Sequence, residues 1–353
     1  MKKRFIEYGR ILFLLSGLLF VLHSIMWAQN GGFAGSFTRL GFGPRGMAMG
    51  NAMTANTHEG VYTHYNPALA ASVGDDIQVD LSTAAMEFDR SLHMVSASVP
   101  LPPNAGFSFS FLNANVDDID GRSISGFDTG ELSTNEFQFK GSFGLKFSET
   151  FSAGAGFKFN LSDFHSQVDN ATTFGIDLGF LITPIPTLTF AFAMQDLLAE
   201  QELNTQDLFN TTGANENSDP LPKRFKFGAT YLLVKYDLTL STEFEIRSQT
   251  SDIERVEVST FSGNPQVFTS RNEISTSSTQ WRLGGSHKLH ERITLRSGYQ
   301  IQDLDNIGDS GQFSAGFSVH LPFDNYEPAI DYAFVREPGG FSSIHVFAIR
   351  LNI

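Results

Sequence analysis

Residues 134–147 read TNEFQFKGSFGLKF, and their alternation decides the architecture. Phe137, Phe139, Gly141, Phe143, Leu145 and Phe147 fall on one face of an extended chain, while Gln138, Lys140, Ser142, Gly144 and Lys146 fall on the other. The next stretch repeats the pattern, with Phe151, Ala153, Ala155, Phe157, Phe159 and Leu161 opposite Ser152, Gly154, Gly156, Lys158 and Asn160. Similar alternation recurs at 171–183, 235–249 and 309–321. A soluble sandwich also alternates with period two, so the environment has to be decided by length, number and connection pattern.

Those three features point to a barrel in lipid. About fourteen segments of roughly 9–14 residues follow one another, near 77–86, 91–99, 104–115, 134–147, 151–162, 171–183, 187–195, 223–233, 235–249, 275–289, 291–301, 309–321, 327–336 and 341–352. Short connections at 100–103, 148–150, 184–186, 235 and 290 alternate with long polar ones at 116–133, 196–222 and 250–274. Short turns on one rim and long loops on the other are the outer-membrane pattern. The chain closes on Phe347, Ile349, Leu351 and Ile353, apolar at every second position, as a terminal strand read by the barrel-assembly machinery would be. The predicted fold class is all-β: one antiparallel transmembrane barrel with a small N-terminal plug.

Composition agrees. Of 353 residues, 41% are hydrophobic and 18% charged, with 35 Phe, 32 Gly and no Cys. Disulfide frameworks, thiol catalysis and Cys-ligated metals are excluded, and a formal charge of −14 argues against nucleic acid as a partner. Lys2, Lys3, Arg4 and Arg10 precede an apolar run at 11–22, which predicts a secretory signal peptide over 1–28. Residues 29–74 do not alternate and are long enough to fold into a lumen as a plug, leaving 75–353 as the barrel. Within them Asn66 and Pro67 open a short helix.

Chemical motifs are sparse. Gly41, Gly43 and Gly46 match a dinucleotide fingerprint in spacing, but Pro44 interrupts it and no βαβ unit follows, so the glycines read as a tight plug turn. The acidic loops lack calcium-loop spacing, and His287 and His290 flank a turn without a third ligand. No cofactor and no catalytic activity are expected. If the Phe face meets lipid, Lys140, Lys146, Lys158, Asp177, Lys226, Asp237, Glu243, Glu245, Arg247, Arg282, Arg296 and Asp331 project into the lumen. Mixed signs predict internal ion pairs, with Arg39 and Arg45 of the plug as partners for Glu243 and Glu245.

The run FTRLGFGPRGMAMG at 37–50, followed by YNPAL at 65–69, resembles the N-terminal signature of the PorV/PorQ family, which belongs to the FadL-like outer-membrane barrels. The resemblance takes in Gly50 and continues through GIDLG at 175–179, LP at 221–222, LRSGY at 295–299 and DYAF at 331–334. It departs at Thr57, His58 and Glu59 ahead of Gly60, where relatives carry acidic residues. It implies a fourteen-stranded barrel with a plug. Two functions follow from it: service to a type IX-like secretion apparatus, with secretion components or exported cargo as partners, or FadL-like passage of a hydrophobic small molecule. The first is the expectation drawn here, and the second is the alternative. Phe127, Phe209, Phe261 and Phe268 in the long connections are candidate ligand-catching aromatics under the alternative.

Overall fold

In a computed structural model the described residues are 34–165, 168–204, 216–259, 266–304, 311–323, 328–337 and 342–353. The predicted signal segment, Phe209 and Phe261 lie outside them, as does the side chain of Phe268.

The strands are β1 (Gln78–Met86), β2 (Arg90–Leu101), β3 (Ala105–Arg122), β4 (Asp128–Ser148), β5 (Phe151–Asp163), β6 (Ala171–Ile185), β7 (Leu188–Leu197), β8 (Glu200–Asn204), β9 (Glu216–Pro220), β10 (Lys223–Leu233), β11 (Leu238–Ser259), β12 (Gln266–His290), β13 (Ile293–Ile301), β14 (Gly311–His320), β15 (Ala329–Arg336) and β16 (Ser343–Asn352). Every wall pairing is antiparallel, β7 pairs with β10, and β1 pairs with β16 from Gln78 opposite Asn352 to Met86 opposite Ile344. The wall is therefore a closed barrel of fourteen strands, from which the β8–β9 hairpin projects through a single pairing to β6. Closure removes the unpaired edges that an open sheet would expose.

The alternation sorts the two faces as expected. Phe109, Phe139, Phe143, Phe157, Phe174, Phe227, Phe313 and Phe347 are exposed on the outside, whereas Gln138, Lys140, Ser142, Lys158, Asn160 and Asp177 are buried inside. A contiguous aromatic exterior of this kind is stable only against hydrocarbon, so the barrel spans a membrane. Two of the expected long loops are largely strand instead. β3 and β4 continue pairing as far as Arg122 and Asp128, and β11 and β12 as far as Ser259 and Gln266. Polar residues on both faces suit a hairpin standing in water, where neither face needs to be apolar. Asp237, expected in the lumen, lies instead in the β10–β11 turn with φ 46°.

Candidate functional site: the plug and the lumen wall

Residues from Ala34 onward fold inside the barrel before β1 begins. A 3-10 turn (Ser36–Arg39) leads to helix α1 (Gly43–Ala48), with Pro44 in its first turn, and a second 3-10 turn (Pro67–Ser72) follows Asn66. Asn66 Oδ1 accepts from the Ala68 N–H at 3.0 Å and so caps that turn, while its Nδ2 donates to the Thr54 carbonyl. Gly41 and Gly43 adopt φ 126° and 65°, conformations that disfavour a side chain, which accounts for the fingerprint-like spacing without a nucleotide. Gly46 lacks a side chain where Tyr65 packs.

The plug meets the wall where the wall has no side chains. Gly284, Gly298 and Gly316 face inward on β12, β13 and β14, and a Cβ on any of them would strike the 48–50 segment of the plug. Gly50 is the counterpart, with φ 60°, its N–H donating to Ser314 Oγ at 3.1 Å. Across the lumen, Gly106, Gly144, Gly154 and Gly179 form a second dent that seats residues 66–71.

Buried ion pairs surround these contacts. Arg45 is fully buried; its Nη2 lies 2.7 Å from Asp80, its Nε 3.4 Å from Asp331 and 3.0 Å from Tyr62 Oη, and it donates to the Glu59 carbonyl. Burial alone would loosen its proton, but Tyr62, Asp80 and Asp331 more than offset this and hold it charged. Arg296 of β13 reaches the Glu59 carboxylate through Nη2 at 2.6 Å and donates to Ser318 through Nη1. The departure at 57–59 is thus a joint between plug and wall.

The predicted pairing of Arg45 with Glu243 and Glu245 is corrected by this geometry. α1 packs on β13–β16 and β1, which brings Arg45 to Asp80 and Asp331, while Glu243 receives Thr54 N and Oγ1 at 3.0 and 2.5 Å. Arg39 donates to the Ala34 carbonyl and sits in the fields of Arg247, Arg224, Asp196 and Glu245; burial, then Arg247 and Arg224, lower its proton affinity.

Lys146, expected in the lumen, lies instead at the end of β4 beside the short turn and pairs with exposed Glu149, while the remaining predicted lumen charges form two clusters. Lys140 and Lys158 contact Asp177 at 2.5 and 2.7 Å, and Lys158 and Arg224 contact Asp196 at 2.5 and 2.6 Å. Glu245 takes Arg247 at 2.6 Å and Arg282 at 2.7 Å, with Lys226 at 3.7 Å, and Arg282 also binds Glu243. His64 of the plug stacks on Phe42 at 4.2 Å and lies 3.2 Å from Ser110. Burial, reinforced by Lys140, holds its imidazole well below the usual range and therefore neutral. Among the described residues no group of three or more His, Asp or Glu side chains is placed to hold a metal.

The other side of the lumen is apolar, which the sequence reading missed. Ala333 and Val335 of β15, Ile344 and Val346 of β16, Ala84 of β1, Leu92 and Met94 of β2 and Leu112 of β3 are all buried and face inward. They form one cluster with Met47, Met49, Met53, Phe37 and Phe42 of the plug, while Met86 and Ala114 extend it toward the long-loop rim. Barrel interiors are ordinarily polar, so the long-loop ends of these five strands are lined against the rule, whereas Asp80, Ser96, Ser108, Asp331 and Arg350 lower on the same strands follow it. The available signal was SLHMV at 91–95 and SIHVFAI at 343–349, in which apolar residues occupy both parities.

No described protein family matches the sequence, and no curated protein matches it. Solved structures do. The Ralstonia pickettii toluene transporter TbuX aligns with a TM-score of 0.58 at 13% identity over 90% of this chain and 98% of that one. The Pseudomonas putida toluene transporter TodX gives 0.58 at 11% identity over 88% and 97%. A Pseudomonas aeruginosa FadL homologue gives 0.56 at 14% identity over 88% and 99%. The likeness is one of fold, that of FadL-type outer-membrane barrels.

Proposed function

We propose that the protein is an outer-membrane channel for hydrophobic small molecules. The observation that carries this reading is the inward-facing apolar surface of β15, β16, β1, β2 and β3, continuous from Met86 and Ala114 near the rim to Met47, Met49 and Met53 of the plug. A water-filled pore gains nothing from burying Leu92, Met94, Ile344 and Val346 in its lumen, whereas an apolar solute is stabilised along such a surface by about 25 cal/mol per Å² removed from water. The fold agrees with this reading, and the neighbours described as toluene transporters share it. Outer-membrane residence follows from the barrel together with the export signal expected over 1–28. The secretion role rests on motif resemblance alone, and among the described residues no feature of the plug or lumen adds to it.

The test is uptake of a hydrophobic fluorophore by cells carrying the protein as their sole channel of this kind. Met94→Asp and Val346→Asp place a charge on the apolar wall and are expected to lower uptake at least tenfold, with the folded-barrel gel shift retained. Unchanged uptake in both variants would refute the channel reading, and co-purification of exported proteins would then favour secretion.

A further inference from the structure

The short-turn end of the lumen carries more positive charge than its carboxylates balance. One inward row runs along it: His320 donates to the carbonyl of the turn residue Arg292 at 2.8 Å, Ala329 lies opposite both His320 and Arg350, and Arg350 lies opposite Asp80. Lys288 of β12 stands one row higher, opposite Thr294, which leads across to Ser318 and Asp331. Arg350, Arg296 and Lys288 are near enough to His320 for their charges to act on it.

The carboxylates of this region are already engaged. Asp80 and Asp331 are balanced by Arg45 and Arg350, and Glu59 by Arg296. Lys288 and Arg292 are exposed and left over: among the described residues, the exposed acids of the same rim, Asp75, Asp76, Asp237 and Glu291, form no ion pair with them.

Arg350 is the buried member of the row. It keeps 9% of its surface exposed, and its Nε is buried with no hydrogen-bond partner among the described residues. Asp80 and Asp331 turn their oxygens to Arg45 and accept from Gln78 and Ser318 instead. A guanidinium carries five donors in a planar fork, and a buried donor left unmade costs free energy that an acceptor would recover. The paired oxygens of a phosphate or a carboxylate match that fork, and an ammonium and an imidazole beside it add further donors.

We infer that the short-turn mouth of the lumen holds an anion site, in which Arg350, His320 and Lys288 take the phosphate or carboxylate group of a soluble molecule from the periplasmic side. These residues lie on the inward parity of β16, β14 and β12, so a headgroup of the surrounding membrane meets the other face of the wall. The site does not depend on what the apolar surface above it conducts.

The test is calorimetric titration of the full purified barrel with inorganic phosphate, with ionic strength held constant by chloride. Binding of one phosphate per chain is expected, with a dissociation constant below about 1 mM, and succinate should compete for the site. Lys288→Gln changes an exposed side chain, so the barrel gel shift should be retained while binding weakens at least threefold; Arg350→Gln should weaken it at least tenfold. Lys146→Gln, on the same rim but outside the row, should leave binding within about a factor of two. Absence of saturable binding would overturn the inference, and so would equal losses in Lys146→Gln and Lys288→Gln, which would mean a diffuse field in place of a site. A second arm fixes the source: phosphate should bind equally in nanodiscs of phosphatidylcholine and of phosphatidylglycerol. Binding lost only in phosphatidylglycerol would overturn the soluble source in favour of a lipid headgroup.

Discussion

Replacing Arg45 by Met is expected to release the plug from one side of the lumen without opening the barrel. The guanidinium is fully buried and, among the described residues, is the only plug cation at Asp80 and Asp331, both of which are buried as well. Arg350, opposite Asp80 in the β1–β16 register, and Arg296 also act on Asp331, but both belong to the wall. Removing one partner of a buried pair costs about 3–5 kcal/mol, because the stranded charge keeps its desolvation penalty. The Glu59 carbonyl and Tyr62 Oη lose a donor at the same time. At about 1.4 kcal/mol per power of ten, amide exchange over residues 42–65 should accelerate by roughly two to three and a half powers of ten, while exchange in β4 and β5 stays unchanged. Hydrogen exchange read by mass spectrometry in detergent measures both regions at once. Adding Asp80→Asn and Asp331→Asn to Arg45→Met removes the stranded carboxylates and should recover most of the protection. Exchange within threefold of the parent in Arg45→Met, or a triple variant worse than the single one, would refute the claim that this pairing holds the plug.

Gly298→Val should displace the plug from β12–β14, because its Cβ would occupy the position of the Gly50 backbone; protease cleavage within residues 40–55 of otherwise intact barrels checks this, and resistance equal to the parent would count against glycine-dent docking. Asp177→Asn leaves Lys140 buried without the carboxylate it binds and Lys158 with Asp196, and should lower the barrel's thermal midpoint by several degrees in circular dichroism, whereas Lys146→Ala, whose pair with Glu149 is exposed, should leave it within a degree. At the long-loop rim Arg90 and Ser342 donate to Glu337 and hold its carboxyl below the usual range, although burial opposes them. That folded value is depressed, so the strap's contribution is full above the ordinary carboxylate pKa and is lost as pH falls through the depressed one. Exchange at residues 86–90 should accelerate only in acid, and a Glu337→Gln chain should lack the transition.

The barrel was legible because period-two alternation with Phe on one parity leaves one arrangement that satisfies both faces, and strand positions read from it agree with the structure to within a few residues along most of the wall. Where the outside is water, as at 116–122 and 250–259, polar residues on both parities hid continuing strand. The lumen side of Lys140, Lys158, Asp177, Glu243, Glu245, Arg247, Arg296 and Asp331 could be assigned by parity, but their partners could not. Pairing depends on shear, which brings Asp80 and Asp331 under α1 although they are 251 positions apart. The apolar half of the lumen was hidden for a related reason. Leu92 and Met94 alternate with His93 and Val95, so a reading that assigns apolar residues to lipid has no rule for a strand whose faces change character halfway up.

The division of the lumen into a charged half and an apolar half constrains how anything passes the plug. On the side of β4 to β12, separating plug from wall means breaking the Thr54–Glu243 bonds and uncovering Lys140, Lys158, Arg224 and Arg282, whose carboxylate partners are held in a low-dielectric interior. On the side of β15 to β3 the contacts above Arg45 are Met, Ala, Leu and Val, and an apolar solute entering there replaces one apolar contact by another with no polar group left unpaired. The lower barrier lies on the apolar side for a hydrophobic molecule and on neither side for an ion. Arg45, held by Asp80 and Asp331 beneath that surface, is a charged tie that such a molecule would meet. Under the proposed channel reading, the charged contacts fix the plug while the apolar surface is the face that yields, and a lumen polar throughout would offer no such face.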